Sequence, residues 1–372
     1  MASPSRHLKL WFYSYLKAFG ISGSPGGPAP DPDAPDAFGE KLRRAEYALR
    51  WLERRRPRRA REDVAPTDAD GLAALSFPLD LGPFRVLREL GRGGFGVVLL
   101  AHRIPDGPLQ ALKLPRPEFL VSDEMLEQFH LEARVAMMFD HPNLIRVSEV
   151  GTIGPLHYIC SPYYPGPTLA QWLESRGGPV PIADAVAIIA DVGEALQHAH
   201  DRGVLHRDLS PHNIILVSAV PSWRHRGEHA GAGSREGLHP MLGDFGLSRP
   251  MGQGDVPPEG LIGALGYLAP EEIDPSLGEV GPASDLFALC AVFYELLTGA
   301  PFRPVWHRKP DLRQLVRERP IPPRALRPDL PESLEEICVR GLAERPSDRF
   351  PSIGRFVQAL RQFDRADYPS GG

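Results

Sequence analysis

The chain has 372 residues, 42% of them hydrophobic, and a formal net charge of -5, which is enough apolar content for a large core and too little positive charge for a body that coats nucleic acid. Glycine and proline number 37 and 41, a composition that asks for long loops but stops short of a wholly disordered chain. Cys160, Cys290 and Cys338 sit apart in separate apolar runs, which reads as packed, reduced thiols in a cytosolic setting, and no run has the length of a membrane span or a leader with a cleavage site.

The N-terminal 80 residues read as an extension. Leu8, Trp11, Phe12, Tyr15, Leu16 and Phe19 fall on one helical stripe, an amphipathic helix that either docks on the body of the protein or meets a partner or membrane surface. Residues 21–37 are Gly/Ser/Pro-rich and then Pro/Asp-rich, as in a linker. A second helical pattern ends in an arginine run from Arg54 to Arg61. Such runs are usually solvated, and without aromatic interleaving nucleic acid is not the expected partner. The body is expected over 81–365, with 366–372 as a tail.

From residue 84 the pattern changes to short apolar runs at 84–90, 96–101 and 109–114, with Pro105-Asp106-Gly107 as a turn between the last two. Gly91, Gly93 and Gly96 lie between the first two strands. Glycine there lets a backbone approach phosphate closely, although a plain glycine hairpin has the same spacing. A dinucleotide fold would require a helix at this point, whereas Val97 to Leu100 continue as strand. Lys113 stands in the third strand and is the only lysine between residues 42 and 308. In a chain that otherwise writes its cations as arginine, a compact ammonium at that place suits phosphate oxygens.

A helix is expected over 122–139 with Glu132 in its middle, followed by two strands that end at Tyr158 to Ser161, a Pro/Gly-rich hinge over 162–167, and helices at 169–174 and 182–200. The polar loop His206 to Asn213 then precedes a strand at 214–217. Asp208 supplies a carboxylate for a hydroxyl proton and Asn213 an oxygen for a hard cation, while the plainer reading is a capped turn. His198, His200 and His206 lie at spacings that place the first two on different helix faces, and they are expected to be structural. Pro221 to Pro240 reads as a long surface loop.

Taken together, the glycine loop, Lys113, Glu132, the 206–213 loop, Asp244-Phe245-Gly246 and Ala269-Pro270-Glu271 resemble the signature set of eukaryotic-type protein kinases, most similar to the bacterial Ser/Thr kinases, over about residues 84 to 363. The resemblance implies a two-lobed α+β fold, with an antiparallel sheet and one helix in the N-lobe and a mainly helical C-lobe. It implies ATP and Mg²⁺ as cofactors and protein hydroxyls as substrate. Gly91, Gly93 and Gly96 would cover the phosphates, Val98 and Ala111 would sandwich the adenine, and main chain around Pro162 and Tyr164 would meet its edge. Lys113 would bind the α- and β-phosphates, held by Glu132. Asp208 would be the catalytic base, with Asn213 and Asp244 as metal ligands. Glu271 would pair with Arg349, and Asp285 would brace the catalytic loop. Pro211 follows the Ser/Thr rather than the Tyr pattern of the loop.

Two departures fall on one network. Ser210 stands where the family's Ser/Thr members place a lysine, and Ala264 where they place a threonine. Losing such a stabiliser costs about 10² to 10³ in rate, which leaves a slow enzyme. The alternative from another class is a nucleotide-binding pseudokinase scaffold that acts through its N-terminal extension. Between Gly246 and Tyr267 the only hydroxyl residue is Ser248, so switching by a phosphate in the middle of that segment is not expected. Asp255 or Glu259 would then serve as a fixed anion for Arg207. Substrate, activating signal and oligomeric state stay open.

Overall fold

The computed structural model describes residues 77–92, 96–115, 123–154, 156–218, 237–245, 249–250, 265–303 and 321–366. The expected helix at 8–19, the linker, the arginine run, Gly93, Ser248, Asp255, Glu259, Ala264 and most of the 221–240 loop lie outside these residues.

The first half is a six-stranded antiparallel sheet. Its strands are β1 (Leu79–Leu81), β2 (Phe84–Arg92), β3 (Gly96–Arg103), β4 (Leu109–Pro115), β5 (Glu149–Ile153) and β6 (Leu156–Pro162), in the order β1-β2-β3-β4-β6-β5. Alternating side chains bury one face, with Phe84, Val86, Val97, Leu99, Leu112, Leu114, Tyr158 and Cys160 forming its core. Phe84 meets Tyr158 edge-on at 5.3 Å, the arrangement that ring quadrupoles favour. Strand β1 was not foreseen. It is three residues long and reverses at Gly82, whose φ of +57° is open to glycine at little cost.

Helix α1 (Asp123–Met137) covers the other face through Phe129, Ala133 and Ala136, which pack on Val147 and Ile159. The sheet therefore hands its chemistry to the next half through one helix and one connector. The connector leaves β6 and docks at once, for Gly166 lies so close to the Leu216 carbonyl that a Cβ would sit 1.9 Å from its oxygen.

The second half is helical. Its elements are α2 (Leu169–Arg176), α3 (Ile182–His200), α4 (Pro270–Ile273), α5 (Pro282–Thr298), α6 (Pro323–Leu326), α7 (Glu332–Gly341) and α8 (Ile353–Ala366). Helices α3 and α5 are apolar on nearly all sides and make the centre, as expected of helices surrounded by others. Helix α8 buries Ile353, Phe356, Val357, Leu360 and Phe363 along one stripe. It approaches α3 at Gly193, where a Cβ would meet Val357 at 2.5 Å. Helix α2 starts at the Thr168 capping box with Gln171 and stops at Gly177, whose φ is +68°.

Short pieces carry the loops between these helices, and those nearest the site come from three places. They are β7 (Val204–Leu205) paired with β10 (Arg249–Pro250), the hairpin of β8 (Ile214–Val217) with β9 (His239–Leu242), and the 3₁₀ turn Pro211–Asn213. The arrangement is the two-lobed α+β fold that the sequence led us to expect.

Candidate active site

The loop between β7 and β8 is pinned from below by one buried carboxylate. Asp285, in the first turn of α5, accepts three hydrogen bonds: from the backbone N–H groups of His206 and Arg207, both at 2.8 Å, and from the His200 ring at 2.7 Å. Burial pushes its carboxyl up, but the His200 ring bond and charge, His206 and the Arg207 amide outweigh it and hold the group below its usual value. An ionised aspartate thus fixes the backbone one residue before Asp208.

His206 is wholly buried, and burial pushes its imidazole below the usual value, so it is neutral. Its Nε2–H donates to the Gly243 carbonyl at 3.1 Å, which leaves Nδ1 to accept the Asp208 amide at 3.3 Å. One ring therefore ties the loop to the segment that carries Asp244. The same ring lies 4.6 Å from Phe245, which in turn stacks on Phe139 at 4.8 Å. With Phe245 turned inward, Asp244 is left facing the cleft at a φ of +60°.

Asn213 donates its side-chain N–H to both the backbone oxygen and the Oδ2 of Asp208, at 2.7 and 3.1 Å. Its own backbone oxygen takes the Gly243 N–H at 3.0 Å. The amide oxygen is then the end of Asn213 that remains for a cation. From the sheet, Lys113 reaches across to Asp244, Nζ to Oδ1 at 2.6 Å, with the lysine side chain only 14% exposed. Lys113, Asp208, Asn213 and Asp244, drawn from three separate stretches of sequence, therefore share one cleft.

The roof of that cleft is the sheet. Val98 pairs with Lys113, and Ala111 pairs with Ser161, so Val98 and Ala111 stand on neighbouring strands beside the hinge. Gly91 has open space around it, as a strand that overlies a ligand requires, whereas Gly96 is needed for the sheet itself: a Cβ there would lie 2.1 Å from the Leu114 carbonyl oxygen. At the hinge, Pro162 pairs with Gln110, the Tyr163 amide donates to the Leu109 carbonyl at 3.2 Å, and Tyr164 is buried against Val217 and Met241. Glu132 lies in α1, and its side chain is outside what the structure describes. Ser210 is 4% exposed and starts the 3₁₀ turn that presents Asn213.

Below the loop, Glu271 and Arg349 pair through two bonds of 2.7 Å. Sequence reasoning missed Glu272, the next residue. Its carboxylate accepts the Ala269 amide at 2.9 Å and lines, with Arg207, Asp208, Tyr267, Ser284 and Asp285, a cavity of about 10 Å³. No spacing in the sequence places residue 272 beside residue 207.

The donor set suits a metal-bound nucleotide. A carboxylate and an amide oxygen are the hard donors that Mg²⁺ takes, and an ammonium beside them suits phosphate oxygens. The carboxylate at 208, one hydrogen bond from Asn213, is the group able to take a proton.

Comparison with known proteins agrees. Residues 84–360 match the protein kinase domain model. The chain is 32% identical over 289 residues to the Serine/threonine-protein kinase Pkn1 of Myxococcus xanthus, which covers 75% of this chain and 38% of Pkn1. It is 31% identical over 320 residues to the Tyrosine-protein kinase MasK of the same species, covering 81% of this chain and 46% of MasK. The chain thus spans less than half the length of these curated relatives. Among solved structures, the PknI kinase domain of Mycobacterium tuberculosis matches with a TM-score of 0.58 at 28% identity, over 77% of this chain and 98% of that one. A neutral histidine, an inward phenylalanine and an ammonium–carboxylate contact across a hinged cleft are thereby accounted for together, since this chain belongs to the protein kinase domain family.

Proposed function

We propose that the protein transfers the γ-phosphoryl group of ATP to Ser or Thr hydroxyls of protein substrates. The observation that carries this reading is the convergence of Lys113, Asp208, Asn213 and Asp244 on one cleft, with Lys113 and Asp244 2.6 Å apart. Asn213, Asp244 and Lys113 would hold Mg²⁺-bound ATP, which would supply the phosphoryl group. Asp208 accepts the proton of the attacking hydroxyl, and Asn213 keeps its carboxylate oriented through Oδ2. Asp285 and His206 keep the loop in one shape, so little reorganisation is required when charge develops. The hinge main chain around Pro162 and Tyr164 would border the adenine, with Val98 and Ala111 on its face. Pro211 in the loop and the likeness to the Serine/threonine-protein kinase Pkn1 favour Ser/Thr.

The rate is set low by Ser210 and Ala264, which stand in place of a lysine and a threonine. Ser210 has no charge to offer the transferred phosphate, and the step loses about 10² to 10³ without it. Three buried free thiols support a reducing, cytosolic setting. A contact with a partner or a membrane surface would run through the aromatic stripe of residues 8–19, the other reading of that stripe being docking on the body of the protein.

Incubation of the full chain with Mg²⁺ and γ-labelled ATP, with and without a basic test protein, tests the reading. Transfer by the wild type and none by Asp208→Asn is the expected result. Equal signal from both would end the enzyme reading in favour of a nucleotide-binding scaffold.

A further inference from the structure

Arg207 is the residue next to Asp208 and stands in the left-handed region, with a φ of +63°. Its backbone is held by Asp285 at 2.8 Å. Its guanidinium is a different matter. Among the described residues no hydrogen bond to a side chain holds it. An arginine that is half-buried in a site needs a counter-charge, and an unbalanced one would pull on the backbone that carries Asp208.

The sequence between Arg249 and Gly266 contains neither serine nor threonine, so that stretch has no hydroxyl on which a phosphate could supply the charge. The structure offers another source. Glu272, in α4, faces the same cavity of about 10 Å³ as Arg207 and Asp208, a space with room for a single bridging water. The Arg207 charge acts favourably on the Glu272 carboxylate.

We infer that Glu272 is a positioning residue, the built-in anion that balances Arg207 across this cavity and through it holds Asp208 in place. The role in the reaction rests on the phosphotransfer activity proposed above; the pairing with Arg207 does not.

The surroundings make the anion conditional. Burial is the main influence and pushes the Glu272 carboxyl up to about 7, while the Ala269 amide pulls it back; Asp285 from α5 and Glu271 from α4 add to the rise, and Arg207 opposes it. Tyr267, Asp208 and Ser284 complete the wall of the cavity. Above pH 7 Glu272 is ionised and Arg207 is balanced; below it the pairing is lost.

The experiment is a double-mutant cycle on the full chain with Glu272→Gln, Arg207→Met and both together. Glutamine keeps an acceptor for the Ala269 amide. Urea unfolding at pH 8 is read first, since it needs no activity, and the double variant is expected to lose clearly less than the sum of the two single losses. Strict additivity would overturn the pairing, whether or not the protein transfers phosphate. In the transfer assay, Glu272→Gln is expected to lower kcat about tenfold with KM for ATP unchanged, and to remove an acid limb near pH 7 that the wild type shows. A Glu272→Gln protein with the wild-type kcat and pH profile would overturn the positioning role. The Asp208→Asn control reports separately on the activity itself.

Discussion

Glu271 and Arg349 are 78 positions apart in sequence and form a bidentate pair with both side chains at 0% exposure. The arginine also donates to the carbonyls of Ala343, Ala283 and Glu344, and Ser284 donates to the glutamate at 2.7 Å. Every polar atom of the pair that the fold removes from water thus has a partner, which is the condition under which a buried ion pair is tolerated. Breaking one side leaves an uncompensated charge. Glu271→Gln is expected to cost about 3 to 5 kcal/mol of unfolding free energy, measured by urea titration of the purified chain.

Asp285 is the second such anchor, and its loss should be felt at the site. Asp285→Asn keeps the shape but gives up a charge that receives three donors. Because its folded pKa lies below the usual 3.8, its contribution is fully present above that value and is lost as pH falls through the folded pKa. The stability gap between wild type and Asp285→Asn should therefore be constant at neutral pH and shrink below about pH 4, as followed by urea midpoints across pH.

His206 also loses its contribution in acid, but from a higher pH. Its folded pKa is lowered by burial, so the unfolded chain takes up a proton first, from about 6.5 downward. Stability due to the neutral ring is present above about pH 6.5 and falls as pH drops toward the folded value. In thermal unfolding between pH 8 and 5, the wild type should lose more than a His206→Gln variant does. A variant with the same slope would remove His206 from the account.

Lys113 should not tolerate the nearest substitution. Arginine keeps the charge but replaces a point ammonium by a planar fork, in a side chain that is only 14% exposed and 2.6 Å from Asp244. Lys113→Arg and Lys113→Met are both expected to lower transfer by about 10² or more, with unfolding midpoints close to wild type.

Phosphatase treatment should leave the activity unchanged. The stretch from Arg249 to Gly266 has no Ser or Thr to carry an activating phosphate. Transfer rates before and after treatment, with mass spectrometry to verify removal, check this directly.

Much of the site was legible because its residues are rare types in diagnostic local settings. Lys113 stands out in an arginine-rich chain, and Asp208 and Asn213 sit in a polar loop that runs into an apolar strand, whereas Asp244 is picked out by family resemblance. The roles of Asp285, Glu271 and Arg349 came from family resemblance, and the structure places all three as implied. Other features depend on which surfaces meet in three dimensions. Gly96 read as clearance for phosphate, and the sheet makes a second demand on it that sequence does not show, since a Cβ there would lie 2.1 Å from the Leu114 carbonyl oxygen. The tautomer of His206 follows from the Asp208 amide and from the Gly243 carbonyl, and the latter, 37 positions away, is not visible in the histidine's sequence neighbours. Glu272 was passed over because a second glutamate after Glu271 looks like an ordinary acidic first turn of a helix.

Among the described residues, the non-glycine positions with left-handed backbone are Arg207 and Asp244, each next to or among the residues of the candidate site. Each such residue costs about 1 to 2 kcal/mol that glycine would not. A library screened only for heat resistance would be drawn to glycine at these places and would enrich sturdier proteins that had given up a guanidinium or a carboxylate from the cleft. Where this fold is least comfortable is also where it is least replaceable, so selection for robustness and selection for chemistry pull on the same two backbone angles in opposite directions.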